Sequence, residues 1–129
     1  MTLQGKKIAI LAENLYDDRE LWYPLIRMRE EGAEVHVVAP AKGATYKSKH
    51  GMEVVSDVAV AETRPDDYAA VIIPGGYSPD LMRRTPAMVQ FVRGAFDQGK
   101  VVAAICHAGW MLVSAGVWRG KTMTSFFMP

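Results

Sequence analysis

Four short runs of mainly apolar residues constrain the fold of this chain more than any other feature. They occupy residues 7–12, 35–40, 69–73 and 101–105. Continuous apolar runs of this length are typical of strands that are buried on both faces of a parallel sheet. Amphipathic helices are predicted between them, and strands that alternate with helices imply right-handed crossovers. The sequence therefore predicts an α/β fold, with a doubly wound parallel sheet and helices on both faces.

The segments between these runs supply the remaining elements. Helices are predicted at residues 19–31, 86–98 and 109–115. The first helix has Leu21, Leu25 and Met28 at spacings of four and three, and Gly32 provides the usual C-terminal stop. The polar stretch at residues 41–51 is predicted to be a loop, residues 52–59 a strand or half-hairpin, and residues 122–125 the start of another strand.

Length, composition and charge limit the class of protein. The chain has 129 residues, of which 50% are hydrophobic, and a net charge of +1, which fits one globular domain over residues 1–129. The charges are interspersed, so neither nucleic acid nor a membrane is an expected partner. The apolar run at residues 8–12 is too short for a signal peptide or a membrane span, and a single cysteine suits a reducing compartment. We therefore expect a cytoplasmic protein.

The only cysteine, Cys106, lies where the strand at residues 101–105 breaks into a turn of small residues that opens a helix. This pattern resembles a nucleophile elbow, with Ala104 and Ala108 as the small residues on either side of the nucleophile. The partial positive charge at a helix start favours a thiolate. A buried cysteine that only fills space is the alternative. We favour a reactive thiol, because both the turn and the following histidine suit a nucleophile.

Ligands of doubly wound sheets bind beyond the carboxyl ends of the strands, and three loops leave those ends here. These loops are predicted at residues 13–19, 74–80 and 106–109, and they should converge on one pocket. Glu20 directly follows the first of these loops, at the start of the predicted helix. If its carboxyl is protonated, it could donate a hydrogen bond to the Cys106 sulfur. The alternative is that Glu20 only solvates the helix start and interacts with its dipole. Gly75 and Gly76 let backbone N–H groups approach a substrate oxygen, as an oxyanion hole requires, but they also suit a plain turn.

His107 directly follows Cys106, so on a regular strand the two side chains would face opposite ways. Only the turn could bring the imidazole to the thiol, where it could act as general base or general acid. The three tryptophans are assigned to packing. The sequence has no glycine-rich nucleotide motif and no cysteine and histidine cluster with metal-ligand spacing, so no cofactor and no metal are predicted.

Three separated motifs resemble the PfpI family, which belongs to the ThiJ/PfpI superfamily of class I glutamine-amidotransferase-like proteins. They are the elbow at residues 104–109 with residues 112–117 after it, the Pro-Gly-Gly segment at residues 74–76, and residues 20–24. The resemblance implies a flavodoxin-like domain in which Cys106 is the nucleophile, His107 the adjacent histidine and Glu20 the thiol partner. It also implies that a neighbouring subunit donates the acid of the triad in trans. Asp80 occupies that position, where the family has Glu.

The resemblance further implies an activity. Family members are described as intracellular cysteine peptidases or amidases, glyoxalases, deglycases and general stress proteins. We therefore expect a cofactor-independent cysteine hydrolase that acts on a small carbonyl, a glycated side chain or a peptide, and that self-associates as a dimer or larger. One alternative is a redox-sensing or chaperone-like stress protein in which Cys106 is oxidised without turnover. Another is an inactive domain that packs but cannot assemble its shared site.

Family members continue past the segment that matches Thr124 and Ser125 with another strand and a closing helix. We therefore expect residues 1–129 to lack the family's last strand and helix. An apolar sheet or helix face would then be exposed, which favours self-association.

Overall fold

The computed structural model of the protein describes residues 1–127. Its strands are β1 Lys7–Leu11, β2 Glu34–Ala39, β3 Thr45–Lys47, β4 Glu53–Val55, β5 Val58–Ala59, β6 Ala70–Ile73 and β7 Val101–Ala104. Its helices are α1 Asp18–Glu30, α2 Ser78–Met82, α3 Pro86–Asp97 and α4 Gly109–Ala115. Short 3₁₀ turns occur at Val60–Glu62, Pro65–Asp67 and Cys106–Ala108.

Five parallel strands form the main sheet, in the order β5-β2-β1-β6-β7. β1 is the middle strand, where Ile8 pairs with Val35 of β2 on one side and with Ala70 of β6 on the other. The chain builds one half of the sheet outward from β1 to β5, and then crosses to the other side of β1 to add β6 and β7. The strand order therefore reverses between β1 and β6, which is where doubly wound sheets bind ligands.

Alternate residues of β1 face two different layers of helices. On one face, Ile10 belongs to a core with Leu21 and Leu25 of α1. On the other face, Leu11 belongs to a core that includes Val92 of α3 and residues of α4. Full burial of one such side chain stabilises the fold by about 1.5–3 kcal/mol relative to leaving it exposed. Helices cover both faces of the sheet, so the predicted doubly wound α/β fold is confirmed.

The stretch at residues 41–51 is not the plain loop that the sequence predicted. It contains β3, which pairs antiparallel with β4. Tyr46 is the one buried residue of β3, and a single buried side chain in so short a strand produces no detectable period in the sequence. Residues 52–59 supply β4 as the second arm of this hairpin and then β5, which joins the main sheet.

The strand predicted at residues 122–125 does not form. These residues are exposed and have no regular secondary structure. A strand needs a neighbour for its backbone hydrogen bonds, so the β-propensity of the segment does not suffice by itself. The segment runs back along the end of β7 instead, where the Phe126 N–H donates to the Cys106 carbonyl oxygen at 3.4 Å.

β7 lies at the edge of the sheet, and its flank on the α1 side is open. Val101 is 65% exposed and Ile105 is 52% exposed. An apolar groove of about 870 Å³ lies between α1 and the ends of β6 and β7, with Tyr23 and Ile26 in its lining. Self-association through such a face stays a prediction. Within residues 1–127, no helix has the length and apolar character needed to cross a bilayer.

Candidate active site

Cys106 lies in a sharp turn between β7 and α4. The backbone is extended at Ile105, with φ −128° and ψ 150°, and then adopts a left-handed φ of 59° at Cys106. A left-handed conformation costs a non-glycine residue roughly 1–2 kcal/mol, and this strand-to-helix turn has the geometry of a nucleophile elbow. Ala108, which is fully buried, closes the turn by donating its N–H to the Ile105 carbonyl at 2.9 Å. The thiol is left half-buried at the edge of the sheet.

The same turn brings His107 to the thiol. Its Nδ1 lies 3.4 Å from Cys106 Sγ, within hydrogen-bonding distance for sulfur. Adjacent residues of a regular strand point to opposite faces, so this contact depends on the left-handed conformation at Cys106. A neutral imidazole that carries its proton on Nε2 can accept the thiol proton at Nδ1.

Glu20 reaches the elbow from the first turn of α1. Its Oε2 accepts the backbone N–H of Gly75 at 2.7 Å. Gly75 lies between this carboxyl group and the nucleophile, because a Cβ on Gly75 would lie 2.5 Å from Glu20 Oε2 and 2.6 Å from Cys106 Cβ. Only glycine fits at this position. Glu20 therefore lies beside the nucleophile, but the hydrogen-bond partner of its carboxyl is a backbone N–H rather than the sulfur.

The structure differs from the expectation that Gly75 donates to an oxyanion, because the Gly75 N–H is bonded to Glu20. By contrast, neither the Gly76 N–H nor the His107 N–H has a hydrogen-bond acceptor within residues 1–127. In a nucleophile elbow, the N–H that follows the nucleophile faces the oxyanion. The His107 backbone was missing from the sequence-based prediction, although the elbow pattern itself could have indicated it.

Leu15, in the loop after β1, holds in place the segment at residues 74–76, which we call the glycine loop. It has a left-handed φ of 65°, and its carbonyl accepts the N–H groups of Tyr77 at 2.9 Å and Ser78 at 3.2 Å. Gly76 has a φ of 73° and no room for a side chain, since a Cβ there would lie 2.5 Å from the Leu15 carbonyl oxygen. The loops after β1 and β6 therefore pack directly on each other beside the elbow.

Asp17 fixes the start of α1 and, with it, the position of Glu20. As the N-cap of α1, its carboxylate accepts the N–H of Arg19 at 3.0 Å and the N–H of Glu20 at 3.4 Å. Lys49 Nζ lies 2.7 Å from the same carboxylate, which is 4% exposed. Burial alone would raise the pKa of Asp17, but hydrogen bonds from Lys49 and Arg19 outweigh it and hold the pKa at about 2. The sequence could indicate the cap, whereas Lys49 meets Asp17 only through the fold.

Asp80 lies on α2, and a single chain does not bring it to His107. Its carboxylate pairs with Arg84 of the same helix region at 2.5 Å. Among the residues that the structure describes, no carboxylate hydrogen-bonds the His107 ring, whose one polar contact is the thiol. The contribution of Asp80 from a second copy stays a prediction.

A cavity of about 320 Å³ opens beside the thiol. Its walls are the elbow, the first turns of α4 and residues 123–126. The rings of Trp110 and Phe126 lie 4.7 Å and 4.9 Å from the His107 ring, measured between centroids. The wall at residues 123–126 was missing from the sequence-based prediction, because it depends on the path of the chain after α4. Over the described part of the chain, no three His, Cys, Asp or Glu side chains are grouped to hold a metal ion.

The relatives of this chain identify its family. The model of the DJ-1/PfpI family matches residues 6–129. Deglycase PfpI of Pyrococcus furiosus is 41% identical over 120 residues, which are 93% of this chain and 72% of that protein. Protein/nucleic acid deglycase 2 of Escherichia coli is 38% identical over 94% of this chain and 71% of its own length. General stress protein 18 of Bacillus subtilis is 36% identical over 95% of this chain and 72% of its own length.

Solved structures have the same fold. A two-domain protein from Anabaena variabilis, with DJ-1/ThiJ/PfpI-like and ferritin-like domains, has a TM-score of 0.92 and 40% identity over 95% of this chain and 35% of that one. Oxidised DJ-1 of Toxoplasma gondii has a TM-score of 0.87 at 23% identity, over 94% of this chain and 67% of that one, and shows the fold alone. These likenesses confirm both the flavodoxin-like fold and the resemblance to PfpI. This chain belongs to the DJ-1/PfpI family.

Proposed function

We propose that this chain is a cofactor-independent, deglycase-like hydrolase in which the Cys106 thiolate attacks the electrophilic carbon of a small carbonyl or a glycated amine. The contact that carries the proposal is the one between Cys106 Sγ and His107 Nδ1, 3.4 Å apart on a nucleophile elbow. The names of two relatives support the substrate class, since the Pyrococcus furiosus and Escherichia coli proteins are both called deglycases. A cavity of about 320 Å³ suits a small substrate better than a folded polypeptide.

The first chemical step is a proton transfer coupled to attack. The thiol proton moves to His107 Nδ1, and the sulfur forms a C–S bond to the carbonyl carbon while the C=O electron pair moves onto oxygen. The backbone N–H groups of Gly76 and His107 donate to that oxygen and stabilise its charge. The His107 imidazolium then returns its proton to the oxygen of a small-carbonyl adduct or, in a glycated amine, to the amine that the sulfur displaces as the C–N bond of the amine-bearing carbon breaks. With a dicarbonyl adduct, a proton then shifts from the sulfur-bearing carbon to the neighbouring carbonyl carbon, which converts the adduct into a thioester. Water attacks the thioester carbon, breaks the C–S bond and releases a hydroxy acid together with the restored thiol.

Two further residues complete the proposed site. Glu20 is assigned a positioning role, because its bond to the Gly75 N–H holds the glycine loop against Cys106. Asp80 of a second copy is proposed as the acid of the triad, where its carboxylate would accept the Nε2–H of His107. Measurement of the molecular mass in solution tests whether such a second copy is present. A single reduced thiol suits the cytoplasm, which is the compartment we propose.

Release of free amine from a methylglyoxal-modified amine tests the proposal. Cys106→Ala should reduce the release to the uncatalysed rate, because the nucleophile is gone. His107→Asn should lower kcat by about 10²-fold or more, since it removes the general acid and base. Asp97→Asn, in an exposed pair on α3, is the matched control and should retain the wild-type rate. Release by Cys106→Ala at the wild-type rate would show that the proposal is wrong.

A redox-sensing stress protein is the second candidate function. The half-buried thiol borders an open cavity, and one relative is named a general stress protein. Mild peroxide followed by mass spectrometry separates the two functions. Stoichiometric oxidation at Cys106, with no turnover of the modified amine or of a fluorogenic peptide amide, favours the sensor. Turnover of the peptide amide alone favours a peptidase.

A further inference from the structure

The His107 imidazole is surrounded by aromatic rings and has no carboxylate partner within its own chain. We propose that Tyr77, Trp110 and Phe126 are positioning residues that orient this imidazole toward Cys106, a task that a carboxylate performs in a catalytic triad. The inference rests on the proposed function, because it concerns the acid and base of that reaction. The inference goes beyond the proposed function by naming the side chains that hold His107, the proposed acid and base, in place.

Each ring reaches His107 from a different part of the chain. The Tyr77 ring, just before α2, lies 6.1 Å from the imidazole centroid and is inclined to it by 14°. Trp110, on the first turn of α4, lies at 4.7 Å and 47°. Phe126, beyond α4, lies at 4.9 Å and 41°. All three distances fall within the range of about 4.5–7 Å over which aromatic rings attract one another.

The surrounding rings are themselves held by the site. The Tyr77 N–H donates to the Leu15 carbonyl at 2.9 Å, and the Phe126 N–H donates to the Cys106 carbonyl at 3.4 Å. Trp110 belongs to the helix that continues the elbow, and its ring also contacts that of Tyr77, with centroids 6.5 Å apart. The three rings therefore form a connected enclosure whose position is tied to both the glycine loop and the nucleophile.

Such an enclosure restricts rotation of the imidazole about its Cβ–Cγ bond. Half a turn would place a ring carbon where Nδ1 now faces Sγ, and the thiol would lose its proton acceptor. A triad carboxylate prevents this rotation with one hydrogen bond to the other ring nitrogen. Here, contacts from three sides oppose it, because each rotated position brings the ring against a neighbour. Within one chain, these contacts therefore favour the ring orientation in which Nδ1 faces the thiol.

Tyr77 offers the sharpest test, because it does not line the thiol cavity and its substitution leaves the substrate space unchanged. Tyr77→Leu removes the stacked ring, whereas Tyr77→Phe keeps it. We expect Tyr77→Leu to lower kcat for the modified amine by about threefold to tenfold with KM unchanged, and Tyr77→Phe to restore the wild-type kcat. Trp110→Leu should lower kcat by a similar factor, but Trp110 also lines the thiol cavity, so its KM is expected to change. A wild-type kcat in both leucine variants would overturn the proposal.

Two measurements that need no turnover separate failure of this inference from failure of the proposed function. The first is the rate at which iodoacetamide alkylates Cys106 as a function of pH, which should fall near neutral pH in Tyr77→Leu but not in Tyr77→Phe. The second is the ¹H–¹⁵N NMR spectrum of the imidazole. The wild type should show one ring state with its proton on Nε2, and Tyr77→Leu should show exchange between ring states.

Wild-type alkylation rates and ring signals in both leucine variants would overturn the enclosure as the orienting device. Altered ring signals in those variants, together with no turnover by the wild type, would support the enclosure and contradict the proposed function. Circular dichroism confirms that each variant folds, and Trp110→Leu carries the test if Tyr77→Leu does not fold.

Discussion

The two sides of the Cys106 turn are held by different forces. On the α1 side, Glu20 holds the glycine loop through a hydrogen bond of 2.7 Å, and Asp17 holds the helix that carries Glu20. On the α4 side, ring contacts surround the imidazole, and two of the rings, Tyr77 and Phe126, are 62% and 45% exposed. Hydrogen bonds to charged groups are directional, whereas contacts between rings tolerate a range of angles. The difference indicates that the α1 side, to which we assign the oxyanion, is rigid, and that the α4 side, to which we assign the acid and base, is adaptable.

This difference predicts how each side responds to substitution. A rigid side with no spare volume should fail abruptly, because its atoms have no alternative arrangement. An adaptable side should lose function in small steps as one ring after another is removed. The following three substitutions probe the rigid side, for comparison with the graded losses expected at Tyr77 and Trp110.

Gly75→Ala should have the largest effect. The added methyl group would lie 2.5 Å from Glu20 Oε2, 2.6 Å from Cys106 Cβ and 2.8 Å from the Ile105 carbonyl oxygen, so the loop or the elbow must move. Displacement of reacting groups by about 1 Å can cost about 10²-fold in rate, and steady-state kinetics should show a loss of that order in kcat. Gly109→Ala is the matched control and should cost far less, since a Cβ there would lie 3.6 Å from Ser125 Cβ. A wild-type kcat in Gly75→Ala would contradict the rigidity of this side.

The carboxylate of Asp17 should make the free energy of unfolding depend on pH. Its pKa is held at about 2 in the folded protein, below the value of 3.8 expected when the chain is unfolded. The stabilisation is therefore fully present above about pH 4 and is lost as the pH falls through about 2. Asp17→Asn should lower the free energy of unfolding by on the order of 2 kcal/mol at neutral pH. This difference should vanish as the pH falls to about 2.

Chemical denaturation of the wild type and Asp17→Asn across this pH range measures the effect. Asp97→Asn is the control, because its pair with Arg93 is exposed and contributes little. Equal stability of the wild type and Asp17→Asn at every pH would show that Asp17 acts only as a helix cap, because Asn caps a helix as well as Asp does.

Glu20→Gln should have the smallest effect of the three. The amide keeps an oxygen for the Gly75 N–H, so the hydrogen bond is retained and changes by about 1 kcal/mol at most. We expect kcat to fall about fivefold at most, with Glu20→Ala falling further because it leaves the Gly75 N–H without an acceptor. Steady-state kinetics on both variants provides the measurement. Equal losses in the two variants would show that the acceptor does not position the loop.

Most of the fold could be predicted from the sequence, because four of the five strands of the parallel sheet correspond to continuous apolar runs, although the edge strand β7 is largely exposed rather than buried. The run at residues 69–73 contains β6, and the run at residues 101–105 contains β7. The small hairpin could not be predicted in full, since each of its strands has a single buried residue, Tyr46 or Val54, and both pack against the rest of the protein. The strand predicted at residues 122–125 was wrong because sequence preference supplies no partner strand.

The candidate site, like the fold, could be predicted from the sequence only in part. The position of Cys106 in a turn, with His107 beside it, follows from local features: an apolar strand, small residues and a helix start. The hydrogen-bond partner of the Glu20 carboxyl does not follow from local features. The direction of the Glu20 side chain is set by the Asp17 cap and by the lack of a side chain at Gly75. The aromatic enclosure depends on where residues 123–126 return to the elbow, and no local pattern encodes that path.

Within residues 1–127, only two non-glycine residues have a left-handed backbone: Leu15, with φ 65°, and Cys106, with φ 59°. They lie on the two loops that flank the candidate site, so conformational strain is concentrated where we propose that the chemistry takes place. Glycine at either position would relieve that strain and raise the melting temperature, while loosening the loop or removing the sulfur. Efforts to engineer heat tolerance into this protein should therefore target the opposite end of the sheet.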